Sequence, residues 1–306
     1  MTTTFNTMPP SALRRPFVRR SIIAALTMAL VLVLQGCSLI KLGYGQASPL
    51  AFRWLDRYAD FDDAQSLQVR TALDDALAWH RRTQLPDYVQ LLARAEAEVA
   101  GDATPERMCA WAGEIRSRME PMLQYLAPMI ADVVVTLSPA QLASIEKRIG
   151  ETNEQYRDEH LQRNPQRRLK AETKREVERA EMLYGDLDPA QRALIASSVS
   201  ASPYDAEIAY GERRDRQEDL LALARRLREA NTSRDDAIGQ VRAYLGSFDR
   251  SPREAYRRYA EKVSAYRCVL ASTLHNGTSA AQRREAAKRL AGYRNDLRSL
   301  IGEAAS

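Results

Sequence analysis

An all-α fold, built as an elongated multi-helix bundle of antiparallel helical hairpins, is predicted by three observations on the 306-residue sequence. Apolar residues recur at three- and four-residue spacing almost throughout, only 13 glycines interrupt them, and no stretch sustains β-branched alternation. The one strand-like patch, Val133-Val134-Val135, is too short to start a sheet.

In chain order, residues 38–47 read as a tether. Ser48 and Pro49 then read as N-cap and first position of a short helix carrying Phe52, Trp54 and Leu55. A longer unit spans residues 62–99 and breaks at Pro86; its second part places Leu85, Tyr88, Leu92, Ala95 and Val99 on one packing seam. Residues 104–135 are helical but should kink or divide at Pro121 and Pro128, where the ring removes a backbone donor and crowds the preceding turn. A helix from Ser138 carries Leu142, Ile145, Ile149 and Tyr156 on one side, then a highly charged stretch resumes after Pro165 and reaches Leu183. Residues 203–229 are polar early and leucine-rich late, and residues 234–245 make a short helix. The last two helices, 251–274 and a final one from Ser279, share a heptad-spaced seam, with Asn276-Gly277 as the turn; they are expected to pair as an antiparallel hairpin.

A short motif recurs at helix starts: Phe61-Asp62-Asp63-Ala64-Gln65, Leu137-Ser138-Pro139-Ala140-Gln141, Leu187-Asp188-Pro189-Ala190-Gln191, and a weaker Ser279-Ala280-Ala281-Gln282. Each reads as a capping box. The side chain of Asp62, Ser138 or Asp188 accepts from a free first-turn amide, and Gln65, Gln141 or Gln191 reaches back to the cap's own amide. Unequal spacings exclude a solenoid of fixed period. The Leu-(Ser/Asp)-x-x-Gln form also resembles the LTxxQ signatures of Spy-like periplasmic chaperones. That resemblance implies a small helical protein cradling unfolded clients, although here Ser or Asp replaces Thr and the chain is about twice as long.

The N-terminus carries an address. Arg14, Arg15, Arg19 and Arg20 precede an apolar run at 22–34 interrupted only by Thr27, and Gly36-Cys37 follows. These are the parts of a secretory signal, and 13 residues fall short of the roughly 20 that span a bilayer. Leu34-Gln35-Gly36-Cys37 resembles the lipobox of bacterial lipoproteins. The resemblance implies cleavage between Gly36 and Cys37 and diacylglycerol on Cys37, and Ser38 after the cysteine implies transfer to the outer membrane of a Gram-negative envelope, facing the periplasm. The expected organisation is a signal peptide at 1–36, an acylated N-terminus and tether at 37–47, and a single helical periplasmic domain at 48–306. Arg14-Arg15 also resembles a twin-arginine motif, but Leu13 stands before the pair and the apolar run is very hydrophobic, so the general secretory route is expected.

Charge and cysteines narrow the function classes. Without its first 36 residues the chain keeps 41 of 45 cations against 40 acids, and its formal charge falls from +5 to +1. No global field remains to attract nucleic acid. If Cys37 is acylated, Cys109 and Cys268 are left as a pair in an oxidising compartment and are expected to form a disulfide, the alternative being two buried thiols. The most basic stretch, 163–179, holds seven cations and three glutamates. It reads as a solvated helix laced by pairs such as Arg168 with Glu172 and Lys174 with Glu178, the alternative being a contact for anionic head groups or acidic clients.

Over nearly all of the exported part, Trp54-Leu55-Asp56-Arg57-Tyr58, Phe61-Asp62, Gln65, Trp79-His80-Arg81-Arg82 and Leu85-Pro86-Asp87-Tyr88 resemble an uncharacterised family of proteobacterial lipoproteins of unknown function. The resemblance implies compartment and helical fold, and no reaction. His80, His160 and His275 have no metal-ligand spacing, so no metal or cofactor is expected; His80, in register with Val69, Leu73 and Leu77, reads as a packed core histidine. Asp62-Asp63 and Asp74-Asp75 are adjacent on helices, where neighbours point about 100° apart and cannot converge on one atom. With no catalytic residue identified, the expectation is a non-enzymatic binding protein, chaperone-like or an envelope scaffold. Its partners would be the membrane, through its lipid, and a protein client or envelope component. The alternative is an envelope hydrolase with a site assembled from scattered residues.

Overall fold

The computed structural model describes residues 39–229 and 232–302, and every regular element among them is a helix. None of these helices is long and apolar enough to cross a membrane. Gly36, Cys37 and the signal segment lie outside the described residues. The stretch read as a tether holds a short helix, α1 (Leu39–Gly45). The remaining helices belong to a compact unit that starts at Gln46.

That unit consists of two modules of six helices. The first contains α2 (Ala47–Ala59), α3 (Asp63–Thr83), α4 (Leu85–Glu98), α5 (Pro105–Ser117), α6 (Glu120–Val134) and α7 (Pro139–His160). The second contains α8 (Pro165–Tyr184), α9 (Pro189–Ser200), α10 (Ala206–Glu229), α11 (Arg234–Gly246), α12 (Glu254–Asn276) and α13 (Ala280–Gly302). Sequence punctuation explains most boundaries. Pro86 and Pro121 sit in the first turns of α4 and α6, where the missing amide had no partner, so the 104–135 region divides ahead of Pro121. Pro128 is accommodated inside α6. One boundary differs from expectation: α2 starts at Ala47 behind Gln46, which makes no side-chain cap bond, so Ser48 is not the N-cap. Pro49 falls third in the helix, still among the first four amides that have no intrahelical partner.

The two modules share one pattern of packing. In the first, α2 packs on α3 and α7, and α3 on α6; in the second, α8 packs on α9 and α13, and α9 on α12. The middle helices cross over. α4 packs on α13 and α5 on α12, while α10 packs on α7 and α11 on α6, so each module's inserted pair completes the other's closing pair. The expected hairpin between the last two helices therefore does not form: α12 lies against α5 and α9, and α13 against α4 and α8. A heptad seam specifies that a face is buried, not which helix buries it, and here helices distant in sequence cover both seams.

Four capping boxes join the modules' helices in pairs. Gln65 and Gln141 are buried and bond each other, Gln141 Nε2 donating to Gln65 Oε1 at 2.6 Å. Gln65 Nε2 also donates to Thr136 O at 3.3 Å, and Gln141 Nε2 to Asp60 O at 3.0 Å. In the second module Gln191 Nε2 donates to Gln282 Oε1 at 2.9 Å and to Gly277 O at 3.0 Å, while Gln282 Nε2 donates to Gln191 Oε1 at 2.8 Å and Asp186 O at 3.0 Å. Each glutamine thus accepts its own cap's amide and bonds the carbonyl two residues ahead of its partner's cap. This leaves none of these four glutamine amides idle, as burial requires. The first loop of each module also turns through positive φ, at Asp60 (48°) and Gly185 (75°), residue types that tolerate the left-handed region.

Cys109 on α5 and Cys268 on α12 are joined by a disulfide, with Cα atoms 5.3 Å apart. About two turns further along α12 lies the buried histidine of the fold, His275, at 2 % exposure. Its Nε2 donates to Gly101 O at 2.7 Å, which leaves Nδ1 to accept from Tyr184 Oη at 2.9 Å. Burial pushes the Tyr184 phenol up to about 12. The core-histidine role foreseen for His80 is better filled by His275. His80 is half-buried, edge-on to Tyr88 at 5.4 Å, with burial lowering its pKa. It falls near the C-terminal end of α3, where the apolar register runs into Arg81 and Arg82.

Candidate binding cavity

Helical periodicity accounts for an open apolar cavity of about 600 Å³ on the first module. On α7, Leu142, Ile145 and Ile149 follow one another at three- and four-residue steps and form one wall. On α6, Ala127 and Ala131 are spent on packing against α11, so Met129, Ile130, Val133 and Val134 face the cavity instead. Trp54, Leu55 and Tyr58 of α2 supply a third side. The two loops locked by the Gln65–Gln141 pair contribute Phe61 and Leu137, the residues just ahead of the caps. Trp54 and Phe248 line the cavity yet are 51 % and 46 % exposed, so they mark where it meets solvent.

The fourth side comes from the second module. α10 presents Leu220, Leu221 and Ala224 toward one end, and Glu212, Arg213 and Arg216 about one to three turns earlier. The cavity is therefore apolar at one end and charged at the other. Glu212 is buried at 5 % exposure, and its carboxylate receives Arg216 Nε at 2.7 Å and faces Arg253 Nη1 at 3.7 Å. Arg253 is shared with Asp215 at 3.0 Å and Asp219 at 2.7 Å. A buried carboxylate without such cations would cost several kcal/mol, about 3–5 in comparable broken pairs. Arg216 is further held by the faces of Phe248 and Tyr256, 5.5 and 5.9 Å from the ring centroids, and its backbone carbonyl accepts from Tyr244 Oη at 3.0 Å.

Arg213 differs from its neighbour. Its Nε donates to Asn153 Oδ1 at 2.9 Å and its guanidinium lies 5.1 Å from the Tyr156 ring centroid. Among the described residues no carboxylate stands within ion-pair distance of it. Tyr156 stacks on Tyr210 at 5.7 Å and lies 4.4 Å from the His160 ring. Burial lowers the His160 pKa and the charge of Arg175 lowers it further; Glu159 opposes them, and Arg213 and Arg179 add smaller downward effects. Burial raises the pKa of Tyr204, which bonds Tyr156, and of the lining residues Tyr256 and Tyr244, the last to about 12. All three are neutral donors at physiological pH.

The residues singled out by sequence occupy other places. Asp62, Ser138 and Asp188 cap α3, α7 and α9, and their glutamines form the paired locks described above; none of the six lines the cavity. Cys109 and Cys268 hold α5 to α12. In the basic stretch Lys174 pairs with Glu178 at 3.6 Å, whereas Glu172 is half-buried, its pKa raised by burial against an opposing effect of Arg175. Among the described residues no group of three or more His, Cys, Asp or Glu stands within reach of one metal ion. Sequence reasoning did not find Glu212, Arg213 or Arg216 as a site. The available signal was α10 itself, polar early and leucine-rich late, which becomes a gradient once both ends face one cavity.

Against known proteins, the model of a family of unknown function, DUF6279, matches residues 57–240, and the chain belongs to that family. The match takes in α3 to α10 whole, and with them most of the cavity. No curated protein and no solved structure is detectably similar to the chain.

Proposed function

We propose that this chain is an exported lipoprotein, tethered to the outer membrane through Cys37, that works by binding rather than by chemistry and shields apolar guests from water in the manner of a chaperone. The cavity carries this reading. At about 600 Å³ it lies within the ~300–1,000 Å³ range of small-molecule sites, and it is bounded by aliphatic and aromatic side chains with a few convergent polar groups. The lipobox-like Leu34-Gln35-Gly36-Cys37 supports export and anchoring, and the Cys109–Cys268 disulfide suits an oxidising compartment. A chaperone-like role is favoured over a passive scaffold because a scaffold has no use for an open apolar hollow rimmed by exposed Trp54 and Phe248.

The test is Nile red fluorescence with the full chain carrying Cys37→Ala, which keeps the protein free of its own lipid. The dye should bind, and Ala224→Phe and Ala209→Trp, which fill opposite ends of the cavity, should each weaken it by at least about tenfold, equivalent to ~1.4 kcal/mol. Unchanged dye affinity in both variants, with native circular dichroism, would remove the cavity from the reading. A denatured client at near-stoichiometric ratio separates chaperone from scaffold, since only a chaperone suppresses its aggregation. Mass spectrometry of native material tests the anchor: an unmodified amino terminus would end that part.

A further inference from the structure

From the charge of the lining we infer that the cavity takes a single-chain amphiphile with an anionic head group, its tail among the side chains of α6 and α7 and its head on Arg213. This rests on the cavity being the binding site. The lining holds one acid, Glu212, and two arginines, so it carries a net positive charge of one. Arg216 is committed to Glu212 at 2.7 Å, and Arg253 behind it is committed to Asp215 and Asp219. Arg213 is left with a neutral amide and an aromatic face.

The cations acting on His160, whose ring lies 4.4 Å from the Tyr156 ring that Arg213 faces, have the same sign. Arg175 and Arg179 act on the same His160 as Arg213 does, and both depress its protonation, although Glu159 opposes them. Arg179 is paired with Glu176 at 2.5 Å. A carboxylate, sulfate or phosphate head at Arg213 would gain a charge-assisted hydrogen bond, whereas a quaternary ammonium would meet an unneutralised cation. The other end of the path suits a tail. Along α10 the ~1.5 Å rise per residue separates Arg213 from Ala224 by roughly 16 Å, about the reach of an extended twelve-carbon chain, and the walls on the way are Leu220, Leu221, Ile145 and Ile149.

The experiment compares two amphiphiles of equal chain length, laurate and dodecyltrimethylammonium, each below its micelle concentration, by calorimetric titration of the full chain carrying Cys37→Ala. Laurate should bind at least about tenfold more tightly than the cation, the worth of one hydrogen bond to a charged group. Arg213→Gln should abolish that preference while keeping native circular dichroism, and Arg213→Lys should retain most of it. Equal affinity for the two amphiphiles, preference for the cation, or an undiminished preference in Arg213→Gln would overturn the inference. Those outcomes leave the cavity reading intact as long as Nile red still binds. Failure of all three probes would instead bring down the proposed function itself.

Discussion

The contact of α5 with α12 and the contact of α11 with α6 occupy equivalent places in the two modules, yet they are held by different physics. At α11 and α6 the surfaces are small and closely fitted: Ala127 and Ala131 are 0 % and 1 % exposed and meet Ala237 and Val241 at 2 % and 1 %. Alanines four apart on α6, Ala127 and Ala131, leave a groove that the facing ridge of α11 can enter. Asp132 and Arg234 close the rim with two 2.7 Å hydrogen bonds. At α5 and α12 the first helix has no buried residue at all, and a disulfide stands in its place. One crossover is secured by packing in the native state and the other by a covalent limit on the unfolded chain. The cavity lies on the packed side, where α10 enters the same crossover, so the cross-linked side is free to serve as a frame.

The largest effect that would break this comparison is removal of the cross-link. A bridge closing a 159-residue separation is worth about 5 kcal/mol in chain-entropy models. Cys109→Ser with Cys268→Ser should therefore lower the urea midpoint strongly. Nile red affinity at low temperature should survive, since the cavity draws no residue from α5. A double variant as stable as the parent would show that α5 needs no bridge.

Alkaline titration acts on both sides. The phenols of Tyr184, bonded to His275 of α12, and Tyr244 of α11 are each pushed up to about 12 from 10 by burial. Their folded pKa values lie above the unfolded ones, so their contribution is complete below pH 10 and is lost as pH rises toward 12. Each is worth about 2–3 kcal/mol by this linkage. Stability measured across that window should fall steeply in the parent, and less in Tyr244→Phe; a flat profile would contradict the burial of both phenols. At the acid end His80 and His160 have lowered values, so their contribution is present above about 6.5 and declines as pH falls below it.

Smaller still is overpacking of the fitted crossover. Ala131→Leu should cost about 1–3 kcal/mol by thermal unfolding, while Ala110→Leu on the exposed side of α5 should cost almost nothing. The smallest effect belongs to the surface pair Lys174–Glu178, where Lys174→Ala should change stability by less than about 0.5 kcal/mol. An equal response at Ala131 and Ala110 would erase the distinction between the two crossovers.

Much of this was legible along the chain because its causes are local. Asp62, Ser138 and Asp188, each three residues ahead of a glutamine, satisfy first-turn amides wherever the helix later packs. Pro86 and Pro121 divide helices by removing donors within their own turn. The pairing of Gln65 with Gln141, and of Gln191 with Gln282, was not legible, because a capping box states nothing about what lies beyond its own first turn. The same limit applied to the heptad seams of α12 and α13, which were covered by α5 and α4 rather than by each other. In the cavity, Leu142, Ile145 and Ile149 were visible as a stripe, but whether that stripe faced core or hollow was not.

By itself, then, the sequence determined that the chain is helical, where most helices begin and end, and which residues face inward, since backbone hydrogen bonding and amphipathic spacing are settled within a few residues. Only the tertiary structure decided that each module's inserted helices complete the other, that Arg213 stands at an apolar hollow with no carboxylate within ion-pair distance among the described residues, and that His275 rather than His80 is the buried histidine. Those outcomes depend on which surfaces fit across long sequence separations, and packing complementarity of that kind leaves no periodic trace in the chain.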